Sequence, residues 1–445
     1  MKVCFATYDT PRELSGASTW LQRLLPLLQV AGIELEVHVM AIGGKPGPNC
    51  AFFRKQGIPF RWMPMVTHLP SAVRSRLQFL EEGQPDIYVP FWSIPAHYAA
   101  GYARRGGIPT VGVLLSDQPY YWGIVDQFIG GDPDFRLSAV VPCSMFLESG
   151  VSATAAASGV VVCRIPCSVP IPARTAEPPG AVFRLVYIGR LVEDAKRISD
   201  VANALCAVTK MFPNVEAWLT GEGEARPAVE DIIREKGAGR VRLLGLVDDV
   251  YEVLAQCHGL VLLSDYEGLP TSVLEAMATG VVPICLDGRS GIREAIEHGV
   301  NGLVVKDRGA DFFAAVRGLQ RDSARWRQLS LAARETAQRR YSIEECARQW
   351  VELLEHLNRR KATRGHFRAP RSLQLPPLDP RFYLPGGIST PSWQRVLGSY
   401  LRSVPPLYRM AKATAALGDK VKSEATMRRH LPKRRSRICD RAGGG

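Results

Sequence analysis

The chain lacks any run of about 18 or more apolar residues, so no membrane-spanning helix is expected in it. Its opening stretch, MKVCFATYDTPRE, carries one Lys and then reads as a short strand, without the apolar core of a secretory signal. A cytosolic location is the expectation. Cys163 and Cys167 have no second Cys or His pair beside them that would make them half of a metal centre. Other cysteines lie inside apolar runs, such as Cys4 in KVCFATY, Cys143 in AVVPCS and Cys285 in VVPICLD, which is the setting of buried free thiols. No Asp-x-Asp metal motif stands at a plausible strand end. Beyond Asn358 the chain is also poor in periodic apolar residues, which argues against regular structure directly after it.

What the chain does have is ordinary globular composition over most of its length. Its 445 residues are 46% hydrophobic and 22% charged, enough for two or three domains. The formal charge of +13 is concentrated at one end: from Arg359 to Gly445 there are 20 Lys and Arg against 4 Asp and Glu. The body is near neutral and the tail is strongly basic.

Residues 1–358 alternate β-rich runs with amphipathic helical patterns. Strands are expected at Lys2–Tyr8, Glu34–Ile42, Asp86–Phe91, Thr110–Leu115, Ala139–Cys143 and Val160–Ile165, then at Phe183–Gly189, Val215–Thr220, Val241–Gly245, Gly259–Leu263, Val282–Leu286 and Gly302–Val305. Helical stretches such as Ser18–Ala31, Ile198–Phe212 and Ala225–Lys236 fall between them, a pattern for parallel sheets with helices on both faces. Twelve strands are many for one open sheet. The Pro-rich stretch 170–180, PIPARTAEPPG, divides them six and six and reads as a linker. The helix Ile343–Leu357 closes the body. After it, RRKATRGHFRAPRSLQLPPLDPRFYLPGG reads as irregular, and TPSWQRVLGSYLRSVPPLYRMAKATAALGDKV has helical spacing broken at Pro405-Pro406.

The chemistry concentrates at strand ends. In EGLPTSVLEAMATG, residues 267–280, Glu267 follows a strand on a loop, Pro270 sits where a helix can start, and Glu275 falls in that helix's first turns. The free N–H groups of such a terminus bind anions. Two carboxylates flanking a phosphate cradle suit a polyhydroxyl, phosphate-bearing ligand such as a nucleotide sugar. In YIGRLVEDAKRISD, Arg190 and Lys196 lie on the loop after Gly189. Two fixed cations there would stabilise a departing diphosphate, Arg190 as a fork and Lys196 as a point charge. The first turn ends in Ser15-Gly16-Ala17-Ser18, where Gly16 lets backbone N–H groups approach phosphate, or where Ser15 or Ser18 caps a helix. LTGEGEAR, with Gly221 and Gly223, is another strand–turn–helix.

The Glu267-x7-Glu275 spacing with Gly-Leu-Pro inside it, and the G-R-L-x4-K loop, resemble the family 4 retaining glycosyltransferases, strongest over 183–305. The resemblance implies a GT-B fold, an α/β architecture of two Rossmann-like domains facing a cleft. It places an acceptor domain at 1–169, a nucleotide-sugar domain at 181–342 and a closing helix at 343–358 that returns to the first domain, followed by the basic, largely irregular tail 359–445. It implies that Glu267 binds the donor sugar and Glu275 the ribose hydroxyls. Arg190, Lys196 and the helix start at Gly268, Leu269, Pro270 and Thr271 would hold the diphosphate. Gly16 and Gly221 would serve as phosphate-side turns, and the backbone near Gly245–Val247, including Leu246, would hold the base. The donor would be a UDP-, GDP- or ADP-sugar, with retention of configuration and neither metal nor cofactor. The family often carries a His at the strand end of VGVLLSDQPYYW; Leu115 or Ser116 stands there, while Asp117 remains and could bind a hydroxyl. Ser168 likewise replaces a family Gly.

Three other readings follow from these residues. A catalytically impaired, glycosyltransferase-like binding or scaffold protein would fit the change at Leu115–Ser116. A nucleotide-sugar epimerase would share the architecture but not the Gly-Leu-Pro segment. The basic tail would suit an anionic membrane surface at the inner face of the membrane, in preference to nucleic acid, or else stay solvated. The acceptor is left open as glycan, lipid or small molecule.

Overall fold

The computed structural model describes residues 1–11, 15–288, 291–360 and 365–382. The chain forms two units: 1–65 with 73–387, which holds the three sheets, and 66–72 with 388–445, which is described only over 66–72. The helical spacing read in 390–421 and the basic run beyond it lie outside the described residues.

In the first half β1 (Lys2–Asp9), β2 (Glu34–Ala41), β3 (Phe60–Pro64), β4 (Ile87–Pro90), β5 (Val111–Leu114), β6 (Ala139–Pro142) and β7 (Val161–Val162) alternate with helices. These are α1 (Gly16–Val30), α2 (Pro48–Lys55), α3 (Leu69–Gly83), α4 (Ile94–Arg105), α5 (Pro119–Val125) and α6 (Met145–Ser158). The second half carries β8 (Phe183–Ile188), β9 (Val215–Thr220), β10 (Val241–Gly245), β11 (Gly259–Leu262), β12 (Val282–Leu286) and β13 (Leu303–Val305). Its helices are α7 (Ile198–Met211), α8 (Arg226–Lys236), α9 (Val250–Leu254), α10 (Thr271–Thr279), α11 (Ile292–Ala295), α12 (Ala310–Arg321), α13 (Ser323–Arg340) and α14 (Ile343–Arg360).

All the strands pair in parallel, in the orders β3-β2-β1-β4, β5-β6-β7 and β10-β9-β8-β11-β12-β13. Among the described residues, the first two sheets are bridged at Tyr88–Thr110. Pro90 and Pro109 flank that contact and have no N–H to extend the ladder. In each half the order reverses beside the first strand, at β2-β1-β4 and at β9-β8-β11. Ligands of open α/β sheets lie outside the carboxyl ends of strands at such switch points. β3 is absent from the sequence reading, because the edge segment FRWMP is short and ends in Pro.

Helix α14 returns to the first half. Trp350 is fully buried, with its ring 6.1 Å from Phe5 and 5.9 Å from Trp20. The nine described cysteines are free, and all but Cys163 are buried. Among the described residues no helix is long and apolar enough to cross a membrane.

The start of the tail departs from a solvated extension. Residues 365–382 have no regular structure apart from a 3-10 turn at Pro380–Phe382, yet they are strapped to the first half. Phe367 is buried against Gly106, and Phe382 against Gly123 with its ring 5.6 Å from Tyr120. Tyr102 donates to Gln374 O at 2.8 Å, Gln127 to Pro377 O at 2.8 Å, and Gln84 to Phe367 O at 2.9 Å. A Pro-rich strand makes few hydrogen bonds of its own, so helix side chains take its carbonyls. Its low apolar content hid this, because two phenylalanines in glycine-floored slots carry the anchoring.

Near the amino ends of β1 and β2, Glu36 is buried and bonded by Lys2 Nζ at 2.9 Å and Arg61 Nε at 2.7 Å. Burial works to raise its pKa, but hydrogen bonds from His38 and Lys2 outweigh it and hold the carboxyl at about 2 rather than 4.5. Its stabilisation is complete above the ordinary carboxylate range and is lost as pH falls through about 2. Urea melts of Glu36→Gln should therefore show a smaller loss of stability than the wild type between neutral and acid pH. Trp350→Ala should cost about 3–5 kcal/mol in the same assay.

Candidate functional site

The carboxyl ends of β8 and β11 carry the residues singled out above, and short ties hold the two loops together. Asp265 N donates to Ala195 O at 2.8 Å, and Tyr266 OH to Asp194 Oδ1 at 2.7 Å. These bonds bring Lys196 onto Glu267, and the two form a half-buried ion pair. Arg190, one turn earlier, is exposed, and its guanidinium has no hydrogen bond or ion pair among the described residues. Its backbone carbonyl is fixed by Tyr187 OH at 2.8 Å. One cation is thus committed to a carboxylate and the other is open to a ligand.

Three turns close the floor of this end of the sheet. Gly221 N donates to Gly245 O at 2.8 Å, and a Cβ on Gly221 would stand 2.0 Å from Gly189 O. Gly221 has φ +125° and Gly245 φ +73°, conformations that favour glycine. Leu246, just beyond, is 64% exposed, an apolar side chain left at the surface by the turn.

Helix α10 begins at Thr271, with Pro270 as its N-cap residue at φ −70° and ψ 118°. Pro270 thus stands one position ahead of the first helical residue. The N–H groups of Thr271 and Ser272 have no acceptor among the described residues, and the dipole of the helix favours an anion there. Gly16, at the start of α1, faces this point: a Cβ on it would lie 3.3 Å from Thr271 Oγ1. Ser15 caps α1, its Oγ accepting from Ser18 N at 3.1 Å. So Gly16 serves a capped helix start and a close approach at once.

Glu275 lies one turn into α10 and is buried. Its Oε1 accepts from Arg23 Nη2 of α1 at 2.6 Å, an ion pair between the halves. Burial pushes the Glu275 carboxyl up, and Arg23 works against that rise. Arg23 was not legible in the sequence: it is one charge on the polar side of an amphipathic helix, with no motif around it. A second unsuspected contact is Glu294, whose Oε2 accepts from Met145 N at 2.6 Å and whose Oε1 pairs with Arg164 at 3.0 Å. It caps α6 from the opposite half.

The first half meets α10 through backbone. A Cβ on Gly268 would stand 1.9 Å from Leu115 O and 3.1 Å from Ser116 Cα, so main chain occupies the strand end where a histidine was sought. Asp117 accepts from Trp122 Nε1 at 2.7 Å. Tyr121 is 3% exposed and Trp122 packs on Gly150, so these two are packing residues. Leu269 and Pro270 are buried beneath the contact.

The close approach at Gly268 gives a direct test. Gly268→Ala should force the 115–116 loop away and lower the melting temperature by several degrees, the change expected for about 1–3 kcal/mol of overpacking. Gly180→Ala, at a glycine without a positive φ and with no atom within 4 Å of the added Cβ, controls for the added methyl group without overpacking.

Comparison with known proteins bears on the fold and family. Residues 182–322 match the family model described as glycosyl transferases group 1. An exopolysaccharide phosphotransferase of Streptomyces coelicolor is 31% identical over 183 residues, 40% of this chain and 19% of that protein. The chain therefore spans only a fraction of that relative's length. A phosphatidyl-myo-inositol mannosyltransferase of Mycolicibacterium smegmatis is 24% identical over 338 residues, 70% of this chain and 82% of the relative. The structure of Anabaena HepE in complex with UDP superposes with a TM-score of 0.65 at 18% identity, covering 80% of this chain and 100% of that one. Residues 182–322 thus resemble the group 1 glycosyl transferases, and the chain has a GT-B fold.

Proposed function

We propose that the protein is a family 4 retaining glycosyltransferase that moves a sugar from a nucleotide-diphosphate sugar to an acceptor held by the first half. The observation that carries this reading is the Lys196–Glu267 ion pair between the loops after β8 and β11 at the switch point of the second sheet, with Arg190 exposed on the first of those loops, Glu275 one turn into α10 and Gly16 opposite the start of that helix. A diphosphate placed there would receive the Thr271 and Ser272 N–H groups and the Arg190 fork. It would also draw Lys196 toward itself, leaving Glu267 free to accept hydroxyls of the donor sugar. Glu275 would take the ribose hydroxyls, and the Gly245–Leu246 turn would line the base. These cations act more strongly as charge grows on the leaving diphosphate, so they lower the barrier rather than merely tighten binding. The acceptor oxygen would attack from the face that the diphosphate leaves, with Asp117 placed to bind a hydroxyl.

The mannosyltransferase relative supports an acceptor that is a lipid or a cell-envelope glycan, and the UDP bound by HepE makes a UDP-sugar the first donor to try. The protein would work at the inner face of the membrane, with the basic residues beyond 359 drawn to anionic lipid. Salt-sensitive binding to anionic vesicles but not to DNA is the expected outcome of a sedimentation assay.

Thermal unfolding of the full chain with UDP, GDP, ADP and their sugars tests the donor site. One nucleotide should raise the melting temperature, and Arg190→Ala and Glu275→Ala should each remove that shift. No shift with any nucleotide at about millimolar concentration, roughly 4 kcal/mol of binding at the limit, would overturn the transferase reading. Binding without donor hydrolysis or transfer would favour the impaired binding protein instead.

A further inference from the structure

Arg23 is the one arginine of α1. It reaches out of the first half into the nucleotide end of the second. Its Nη2 holds Glu275 Oε1 at 2.6 Å, and its guanidinium carbon lies 5.8 Å from the centre of the Tyr251 ring on α9. Nη1 is buried and has no hydrogen-bond partner. A buried guanidinium nitrogen without an acceptor is costly, and it marks a place where a polar atom fits. Glu275 Oε2, by contrast, makes no hydrogen bond among the described residues and is not among the buried orphans, so it keeps a path to solvent.

From this geometry we infer that Arg23 is a positioning residue of the nucleotide site: through Nη2 it fixes the Glu275 carboxylate so that Oε2 faces the ribose hydroxyls, and through Nη1 it donates to an oxygen of the bound nucleoside. This rests on the proposed donor site and adds a contribution from the opposite half. A carboxylate in so buried a place is free to rotate and inclined to take up a proton. Arg23 opposes both by a charge-assisted bond. Since Arg23 stands on α1 and Glu275 on α10, the nucleotide site is complete only while the two halves are together, which ties capture of the donor to closure around it.

The titratable and charged groups facing Glu275 are few. α10 itself carries no other charge. Arg23 comes from α1 and Tyr251 from α9, and Asp249 and Glu344 also act on Tyr251. Arg334 of α13 is committed to the carbonyls of Ala278 and Pro172. Removing Arg23 therefore leaves burial unopposed, and Glu275 takes up a proton over a higher range of pH. Its ability to receive ribose hydroxyls should then return as pH rises.

The experiment is calorimetric titration of UDP, GDP and ADP into the full chain at a lower and a higher pH, since a carboxyl raised by burial regains its charge as pH rises. The variants are Arg23→Ala, Arg23→Gln, Arg23→Lys, Glu275→Gln and the Arg23→Gln/Glu275→Gln pair. Arg23→Gln keeps the volume filled should Arg23→Ala fail to fold, and melting curves without nucleotide check folding. The neutral Arg23 variants should bind the preferred nucleotide about tenfold more weakly at the lower pH and recover at the higher, whereas Arg23→Lys should keep the wild-type pH profile. The double variant should lose little beyond Glu275→Gln alone, because the two act as one unit. Wild-type affinity at both pH values in a folded Arg23→Gln, with loss in Glu275→Gln, would overturn the role of Arg23 and leave the donor site standing. A wild type that binds none of the three nucleotides would overturn the donor site itself, and this inference with it.

Discussion

Gly268 stands where a methyl group would lie 1.9 Å from the Leu115 carbonyl oxygen, and Gly221 where one would lie 2.0 Å from that of Gly189. Backbone meets backbone at both places, and much else at the site depends on it. The first contact brings the strand ends of the opposite half onto the start of α10. The second gathers the turns after β8, β9 and β10 into one floor. Gly291 continues the pattern, its N–H donating to Gly268 O at 2.6 Å. No side chain larger than hydrogen permits these approaches, so the shape of the cleft is set before any charged group is placed in it.

The charged groups are then placed as pairs. Lys196 with Glu267 and Arg23 with Glu275 neutralise the half-buried and buried carboxylates. An unpaired carboxylate there would be costly or protonated. Arg190 alone among the donor-site cations has no partner among the described residues, which suits a first contact for an incoming diphosphate. On the proposed reading, a diphosphate that took Lys196 would release Glu267, so breaking this ion pair would order the sugar when a donor binds.

Much of this was legible in the sequence, for physical reasons. Parallel strands buried on both faces read as apolar runs, so twelve of the strands stood out, and the strand–turn–helix units with Gly16, Gly221 and Pro270 marked the ends that carry chemistry. β3 escaped because an edge strand with Arg, Trp and Pro has no such run. The strap at 365–382 escaped because its anchoring lies in the glycine slots and tyrosines of other helices. Arg23 escaped because a pair between residues 252 positions apart leaves no local pattern. Local chemistry shows in local sequence, while contacts between the halves show only in the fold.

The central claim is that the nucleotide diphosphate lies at the start of α10, between the Gly189–Arg190 turn and Gly16. Co-crystallisation with the stabilising nucleotide tests it most directly. The account predicts diphosphate density against the Thr271 and Ser272 N–H groups and the Arg190 guanidinium, with the ribose at Glu275. A nucleotide bound within the first half alone, leaving these groups as they stand, would contradict it.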